Sequence, residues 1–260
     1  MRPPLLEIRE CSMHFGGLVA VSHLTFSVKK KELIGIIGPN GAGKTTLFNM
    51  VSGLYTASTG SIWFNGEDVT YLAPWHRSRK GISRTFQNIR LFPNLSVFDT
   101  IRVGAVQHCG HHFFSSILQL PSFHQEEERI ANHIHELLRF FSLYEYKDRQ
   151  ATTLPYGDQR KIEMIRALVT QPKLLLLDEP AAGLNPTEKK GLMQLIKRIQ
   201  EQFHIAMILI EHDMPVIMGI CERVIVLDYG VKIAEGSPSE IQSNSKVIEA
   251  YLGTIRHAKN

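Results

Sequence analysis

The stretch GPNGAGKTT, residues 38–46, decides the fold that this sequence can adopt. Residues 38–45 fit the pattern G-x-x-x-x-G-K-[ST], and the apolar run Leu33–Ile37 stands directly before them. The run predicts a buried strand, and Leu47, Phe48 and Val51 predict the apolar face of a helix after the loop. A strand, a glycine-rich loop and a helix in this order are typical of a phosphate-binding corner.

Each residue type in the loop has a physical reason. Gly38, Gly41 and Gly43 let the backbone N–H groups point inward, where side chains would exclude a phosphate. A glycine-rich turn could match the pattern by chance, but the strand before it and the helix after it favour the phosphate site. Lys44 offers a cation to the β- and γ-phosphates of a nucleotide, and Thr45 offers a hydroxyl to magnesium. The predicted ATP-binding residues of the loop are Gly38, Pro39, Asn40, Gly41, Ala42, Gly43, Lys44, Thr45 and Thr46.

A pair of carboxylates follows a second apolar run. The stretch KLLLLDEP, residues 173–180, predicts a buried strand that ends in Asp178 and Glu179. In open α/β sheets ligands bind at the carboxyl ends of the strands, so Asp178 is predicted to bind magnesium and Glu179 to face the attacking water. Read alone, the pair could be a solvated strand end, and the phosphate loop is what favours the metal site.

Composition excludes several classes of protein. The 260 residues carry a net charge of +4 with scattered lysines and arginines, so no nucleic-acid-binding stripe is predicted. Three widely spaced cysteines without a Cys-x-x-Cys pair are typical of a reduced, intracellular chain. The N-terminus does not read as a signal peptide, and the apolar runs are too short to span a bilayer.

The periodicity of the apolar residues changes twice along the chain. Residues 5–28 and 61–69 predict antiparallel hairpins, the second with Asn65 and Gly66 as its turn. Helical periodicity dominates from about 90 to 165, and strand–helix alternation returns after 170, which predicts a mostly parallel sheet covered on both faces. Residues 107–125 predict a surface excursion. Histidines around Cys109 in this segment could bind a metal, but adjacent histidines favour a polar surface loop.

Four further motifs accompany the two phosphate motifs in order. The stretch RTFQ (84–87) resembles a Q-loop and LPYGDQR (154–160) a signature motif. The stretch AAGLN (181–185) resembles a D-loop, and IEHD (210–213) resembles the segment that carries a switch histidine. With these motifs the chain resembles the ATP-binding-cassette (ABC) ATPases over nearly all its length.

The resemblance implies a fold and a division of the chain. The fold is α/β, a P-loop NTPase (RecA-like) core with an N-terminal antiparallel β subdomain and an inserted α-helical subdomain. All 260 residues form one ABC ATPase domain, with residues 1–88 and 166–240 as the core and its antiparallel subdomain. Residues 89–165 are then the helical subdomain, and 241–260 a C-terminal helical tail.

The resemblance also implies roles for single residues. Glu179 orients or deprotonates water, His212 contacts the γ-phosphate, and Gln87 lies near the metal and the water. Phe15 stacks on adenine, although it could equally be a core residue, as His212 could be a plain surface histidine. The metal ligands are Thr45, Gln87 and Asp178. A second subunit contributes its signature residues, which are Leu154, Pro155, Tyr156, Gly157 and Asp158; the D-loop residues are Ala182, Gly183, Leu184 and Asn185.

The signature motif departs from the family pattern Leu-Ser-Gly-Gly-Gln. Pro155 replaces the serine, so a hydroxyl that would donate to the γ-phosphate is missing. Asp158 replaces the glutamine and brings a negative charge toward an anion. We expect the site still to hydrolyse ATP, because the residues assigned to the chemical step are present, while a clamp that binds ATP with little turnover stays an alternative.

Longer phrases narrow the class. The stretches MHFGGLVAV, RTFQNIRLFPNLSV and LDEPAAGLNP are similar to those of ATPase subunits of bacterial branched-chain (hydrophobic) amino-acid importers. This implies an ATP-hydrolysing motor with Mg²⁺ as cofactor, paired with a second ABC ATPase, a mixed pair being expected. Its other partners would be integral membrane permease subunits and, indirectly, a substrate-binding protein. It would lie peripherally at the cytoplasmic face of the bacterial inner membrane.

Two other kinds of ABC protein stay open at this stage. One is the ATPase of another transport system, such as lipid or lipopolysaccharide export. The other is a non-transport ABC protein that acts on nucleic acid or ribosomes, which the single set of motifs and the absence of a basic stripe disfavour.

Overall fold

The computed structural model describes residues 3–85, 90–105 and 121–257. Within these ranges the strands form two sheets, and the first is antiparallel in the order β2-β1-β4-β5. Its strands are β1 Leu6–Phe15, β2 Leu18–Val28, β4 Thr59–Phe64 and β5 Glu67–Asp68. Asn65 and Gly66 connect β4 to β5 with φ angles of 50° and 85°, as a type I′ hairpin turn requires. Both predicted hairpins are therefore confirmed.

The second sheet is mostly parallel and has the order β10-β9-β3-β8-β7-β6. Only β10 runs antiparallel to its neighbour among these described strands. Because β3 and β7 both run parallel to β8, their last residues Ile37 and Asp178 reach the same edge of the sheet. The strands are β3 Leu33–Ile37, β6 Ile82–Arg84, β7 Leu174–Asp178, β8 Ala206–Ile210, β9 Arg223–Asp228 and β10 Val231–Gly236.

Both faces of this sheet are covered, one by helices and the other by α1 together with the antiparallel sheet, which is why its central strands are wholly buried. Ile34 and Ile36 of β3 pack on one face with Phe48, and Leu33 and Ile37 pack on the other. Each fully buried isoleucine or leucine contributes about 1.5–3 kcal/mol. The helices are α1 Lys44–Ser52, α2 Pro74–Lys80, α3 Val97–Ala105, α4 Pro121–Phe140, α5 Tyr156–Leu168, α6 Pro186–Phe203, α7 Met214–Ile220, α8 Pro238–Gln242 and α9 Ser245–His257.

The region between β6 and β7 is helical in its described parts. Helix α3 packs against both α4 and α5, and buried residues such as Ile101, Ile134 and Ile165 belong to one core cluster. Helix α4 begins at Pro121, so residues 121–125 of the predicted surface excursion open a helix, and residues 106–120 lie outside the described residues. Helix α5 runs across the boundary predicted between residues 165 and 166, and the domain boundaries stay a prediction. In the described part of the chain, no helix has the length and apolar character needed to cross a membrane.

Arg77 joins three segments beneath the antiparallel sheet. Its side chain is among the largest that are fully buried. The guanidinium donates to the carbonyls of Met50 and Val51 at the end of α1, at 2.5 and 3.0 Å, and to those of Thr70 and Leu72 at 2.8 and 3.0 Å. Arg77 therefore caps the helix that begins at the phosphate loop.

We expect the substitution Arg77→Met to lower the free energy of unfolding in urea by about 3 kcal/mol, because buried carbonyls lose their donor. The matched control is Arg79→Met on the same helix, where the guanidinium lies on the exposed side above the Trp75 ring at 5.2 Å. That change should cost less than about 1 kcal/mol. Equal losses for the two variants would contradict the capping role of Arg77.

Candidate functional site

The phosphate loop is folded so closely that side chains are excluded at two of its glycines. Gly38 has a φ of +152°, and a Cβ built there would lie 2.1 Å from the Leu227 carbonyl oxygen. Gly43 has a φ of +94°, and its Cβ would lie 2.5 Å from the Ala20 carbonyl oxygen. Carbonyl groups of β9 and β2 therefore lie directly against the loop at these two positions, where only glycine fits.

Lys44 is the first residue of α1, and its side chain is buried in the loop. The ammonium Nζ donates to the carbonyl oxygens of Gly38 at 2.7 Å and Pro39 at 2.9 Å. Burial lowers the pKa of Lys44, and the charges of Glu179 and Asp178 oppose that shift. The cation is thus desolvated and held by neutral carbonyls, which makes it available to an anion with more charge.

A cavity of about 500 Å³ opens in front of the loop. Phe15 lies on its rim, half-exposed, in edge contact with Tyr55 at a ring-centroid distance of 5.3 Å. This half-exposed position of Phe15 favours a contact with the base of a bound nucleotide over a role in the hydrophobic core. The cavity is lined by Phe15, Leu18, Val19, Ala20, Asn40, Gly41, Ala42, Gly43, Lys44, Thr45, Thr46, Glu179, His212 and Tyr229. Sequence reasoning missed Leu18, Val19, Ala20 and Tyr229, since only the fold brings β2 and the β9–β10 turn to the loop.

Two of the predicted catalytic residues meet at this cavity. His212 Nε2 lies 2.6 Å from Glu179 Oε1, and the two residues are 33 positions apart in the chain. Glu179 directly follows β7 with a φ of +48°, a conformation that L-residues rarely adopt, and its N–H donates to the Ile210 carbonyl at 2.9 Å. This bend turns the carboxylate out of the sheet and toward the loop after β8, where His212 lies.

Asp178, the last residue of β7, has a cationic partner. Its Oδ2 accepts from Arg84 Nη2 at 2.7 Å, and both side chains are almost fully buried. Arg84 also donates to Asn49 Oδ1 at 2.6 Å, so it joins β6, β7 and α1. Arg84 is the first residue of the RTFQ motif, and its ion pair with Asp178 was not predicted from the sequence. Gln87, predicted as a metal and catalytic residue, lies outside the described residues.

The signature stretch lies at the start of α5, where Pro155 is the N-cap residue. Among the described residues, Leu154, Pro155, Tyr156, Gly157 and Asp158 are absent from the lining of the nucleotide cavity. The negative charge expected at Asp158 is partly compensated, because its Oδ1 accepts from Lys161 Nζ at 2.7 Å. The repulsion between Asp158 and a bound anion is therefore weaker than the sequence suggested.

The D-loop stretch leads into α6. Gly183 has a φ of +79°, and Ala182 offers its carbonyl to the Tyr156 hydroxyl at 3.5 Å. Asn185 is the N-cap residue of α6, and its side chain accepts from the N–H groups of Thr187 at 2.9 Å and Glu188 at 3.0 Å. The side chain of Asn185 is therefore occupied by its own helix. Ala182, Gly183, Leu184 and Asn185 also lie outside the cavity lining described above.

Comparison with protein families matches the part of the chain that holds the phosphate loop and Glu179. Residues 21–182 of the 260 match the family model described as ABC transporter. The chain belongs to the ABC transporter family. A second model, described as branched-chain amino acid ATP-binding cassette transporter, matches residues 231–255 of this ABC cassette, from β10 into α9.

Relatives of this ABC cassette match along nearly its whole length. BraF from Pseudomonas aeruginosa, named a high-affinity branched-chain amino acid transport ATP-binding protein, is 40% identical over 97% of this chain and 99% of its own. LivG from Escherichia coli K12, which has the same description, is 41% identical over 97% of this chain and 99% of its own.

Solved structures also match this chain along nearly its whole length. The ADP conformation of MJ1267, an ATP-binding cassette of an ABC transporter, has a TM-score of 0.85 at 29% identity, covering 97% of this chain and 100% of MJ1267. A nucleotide-free ATP-binding cassette from an ABC transporter has a TM-score of 0.82. The predicted fold class, a P-loop NTPase of the ABC type, is confirmed, and the cassette binds ATP as a member of this family.

Proposed function

We propose that this chain is the ATP-hydrolysing subunit of an importer for branched-chain amino acids. The observation that carries the hydrolytic part is the 2.6 Å contact between Glu179 and His212 at the cavity that the phosphate loop lines. The names of BraF and LivG and the match of residues 231–255 support the cargo. The hydrolytic and the transport parts can be tested separately.

ATP would bind with its phosphates in the loop and its base at Phe15. Gly41, Gly43 and the N-terminus of α1 line the cavity, so their backbone N–H groups would bind the phosphates. Lys44 would exchange its two carbonyl partners for phosphate oxygens. The desolvated ammonium gains more from a phosphate anion than from neutral carbonyls, so the exchange is favourable.

Hydrolysis would use the pair at the strand ends. Glu179 orients a water molecule and accepts its proton, and His212 Nε2 holds the carboxylate within hydrogen-bond distance. His212 is half-exposed at the cavity, so it can also reach the γ-phosphate and sense its departure. Lys44 neutralises the charge that develops on the leaving phosphates.

The oxygen donors at this edge fit Mg²⁺. The Thr45 hydroxyl lies at the cavity and the Asp178 carboxylate at the end of β7, and hydroxyl and carboxylate oxygens are ligands of this ion. Arg84 engages Oδ2 of Asp178 and so orients the carboxylate. When bound, Mg²⁺ supplies positive charge to the phosphate oxygens. Thr45, Asp178 and Gln87 are its proposed ligands.

The signature residues would complete the site of a second ATPase subunit. They lie outside the nucleotide cavity of their own chain, at the N-terminus of α5, where the helix dipole favours an anion. Head-to-tail pairing would bring Gly157 to the partner's nucleotide, and ATP would then stabilise the closed pair. A mixed pair with a different ATPase chain is proposed.

The charge of Asp158 should weaken this pairing slightly. We expect Asp158→Gln, made in a Glu179→Gln background, to tighten ATP-dependent dimerisation up to about fivefold, because a half-compensated surface charge is worth at most about 1 kcal/mol. Sedimentation with ATP measures the dimer dissociation constant. The control is Asp148→Asn, whose carboxylate forms a similar surface pair with Lys147 at 2.7 Å. Weaker dimerisation of the Asp158 variant would contradict the repulsion.

A groove between α2 and the helical region is the proposed contact with the membrane permease. It encloses about 490 Å³, and Trp75, Phe92 and Val103 line it with 49%, 44% and 43% of their surfaces exposed. Exposed large apolar side chains in a concave patch are typical of an interaction site. Docking there would place the chain peripherally at the cytoplasmic face of the inner membrane.

Reconstitution tests the transport part. We expect this chain to co-purify from solubilised membranes with multi-span membrane proteins, and proteoliposomes of that complex to take up leucine, with a branched-chain substrate-binding protein present, only when MgATP is supplied. Uptake of another solute class, or export of a lipid, would contradict the proposed cargo. Absence of any membrane partner would contradict a role in transport.

A further inference from the structure

Glu211 is a buried carboxylate to which the reaction above assigns no role. It stands between β8 and His212, and only 4% of the residue is exposed. Its Oε1 accepts from the Ala181 N–H at 2.6 Å, and its Oε2 accepts from the His212 N–H at 3.2 Å. The Asp213 N–H also hydrogen-bonds the carboxylate. Each side-chain oxygen thus reaches a different loop.

These contacts close a ring around the two reacting side chains. Ala181 is two residues after Glu179, and the rigid Pro180 lies between them. From Ala181 the ring passes through the Glu211 carboxylate to His212, and from His212 Nε2 it returns to Glu179 Oε1 at 2.6 Å. One carboxylate therefore links the loops after β7 and β8, next to the bond from the Glu179 N–H to the Ile210 carbonyl.

The ring also includes the start of the D-loop, because Ala181 is its first residue. A second tie runs in parallel, since Asp213 and Lys189 of α6 form an ion pair at 2.5 Å. A displacement of the His212 loop would consequently displace Ala181 at the start of the D-loop and Lys189 after it. Burial raises the pKa of Glu211, because the charged carboxylate loses its hydration. Its hydrogen bonds from backbone N–H groups offset part of this cost.

We propose that Glu211 is a positioning residue that holds Glu179 and His212 in register and couples the His212 loop to the D-loop. This inference rests on the proposed ATPase function. A glutamine at this position has nearly the same shape but only one acceptor oxygen, and its NH₂ group would face an N–H of one of the two loops. The substitution therefore removes one side of the ring with little change in packing.

The experiment measures steady-state ATP hydrolysis of the complex co-purified from solubilised membranes, with this chain as wild type, Glu211→Gln, His212→Ala and the double variant. We expect Glu211→Gln to lower kcat about tenfold with KM for ATP unchanged, because the phosphate loop is untouched. In the His212→Ala background it should cause no further fall, since both changes open the same ring. The control Glu32→Gln alters another buried carboxylate that accepts a backbone N–H, at 2.7 Å from Lys29, and should leave kcat unchanged.

Hydrogen exchange of the Ala181 backbone amide tests the same ring of contacts in the absence of nucleotide. In Glu211→Gln this amide should exchange at least about tenfold faster, while amides of β3 keep their protection. Unchanged exchange, a raised KM, or effects that multiply in the double variant would overturn the inference. If the complex with the wild-type chain does not hydrolyse ATP, the proposed function fails, and the exchange measurement on the chain alone still decides whether Glu211 links the two loops.

Discussion

Replacing Glu179 with glutamine is expected to reduce phosphate release from MgATP by about 10²- to 10⁴-fold, the usual contribution of a positioned base. Glutamine cannot accept a proton from water at neutral pH, but it can still accept a hydrogen bond from His212 Nε2, which lies at 2.6 Å in the wild type. The strand end and its bend are kept, so the loss belongs to the chemical step. The measurement is single-turnover phosphate release at saturating MgATP.

Nucleotide affinity separates this effect from general damage. The dissociation constant for ATP should change less than about threefold, because the phosphate contacts come from the loop and Lys44. The matched control is Glu201→Gln, an exposed carboxylate on α6, which should leave both quantities unaltered. Equal hydrolysis rates for wild type and Glu179→Gln would refute the assignment of Glu179 as the base.

The second large effect is expected at Lys44. Lys44→Met keeps the apolar stem but removes the ammonium, and we expect it to weaken MgATP binding about a hundredfold, since two charge-assisted hydrogen bonds to phosphate are lost. In the free protein the ammonium donates to the carbonyls of Gly38 and Pro39, so part of the loss comes from a less ordered loop. Isothermal titration calorimetry measures the dissociation constant directly.

An exposed lysine outside the phosphate loop supplies the control for Lys44. Lys190 is exposed on α6, and Lys190→Met changes the net charge equally without touching the loop, so MgATP binding should be unaltered. The unfolding midpoint of Lys44→Met without nucleotide should stay within a few degrees of wild type, about 1 kcal/mol. Unchanged MgATP affinity in Lys44→Met would contradict the whole assignment of the phosphate loop.

The local elements of this fold could be predicted because each depends on a short stretch of chain. The strand Leu33–Ile37 is a continuous apolar run, the turn at Asn65 and Gly66 needs positive φ, and the N-cap Asn185 stands before a proline and a glutamate. Such signals act over a few residues and need no partner from elsewhere. The same holds for the phosphate loop, whose chemistry lies in adjacent positions.

Contacts across the sheet could not be predicted in this way. Arg84 and Asp178 are 94 positions apart, and Glu211 and Ala181 are 30 apart. Nothing in the sequence distinguishes Arg77 from the other scattered arginines, yet it is buried and donates to the Met50 carbonyl at the end of α1. Asp158 looked like an uncompensated charge, although its partner Lys161 lies only three positions away on the same helix face.

By itself the sequence determined that a phosphate-binding corner exists, which residues form it, and that two carboxylates follow a buried strand. Only the tertiary structure decided that Glu179 and His212 touch, that Arg84 holds Asp178, and that Glu211 closes the ring between two loops. The reason is physical, because local propensity and motif spacing act along the chain, whereas the order β10-β9-β3-β8-β7-β6 places strands β3, β7 and β8 side by side. That order is set by how whole layers bury their apolar faces.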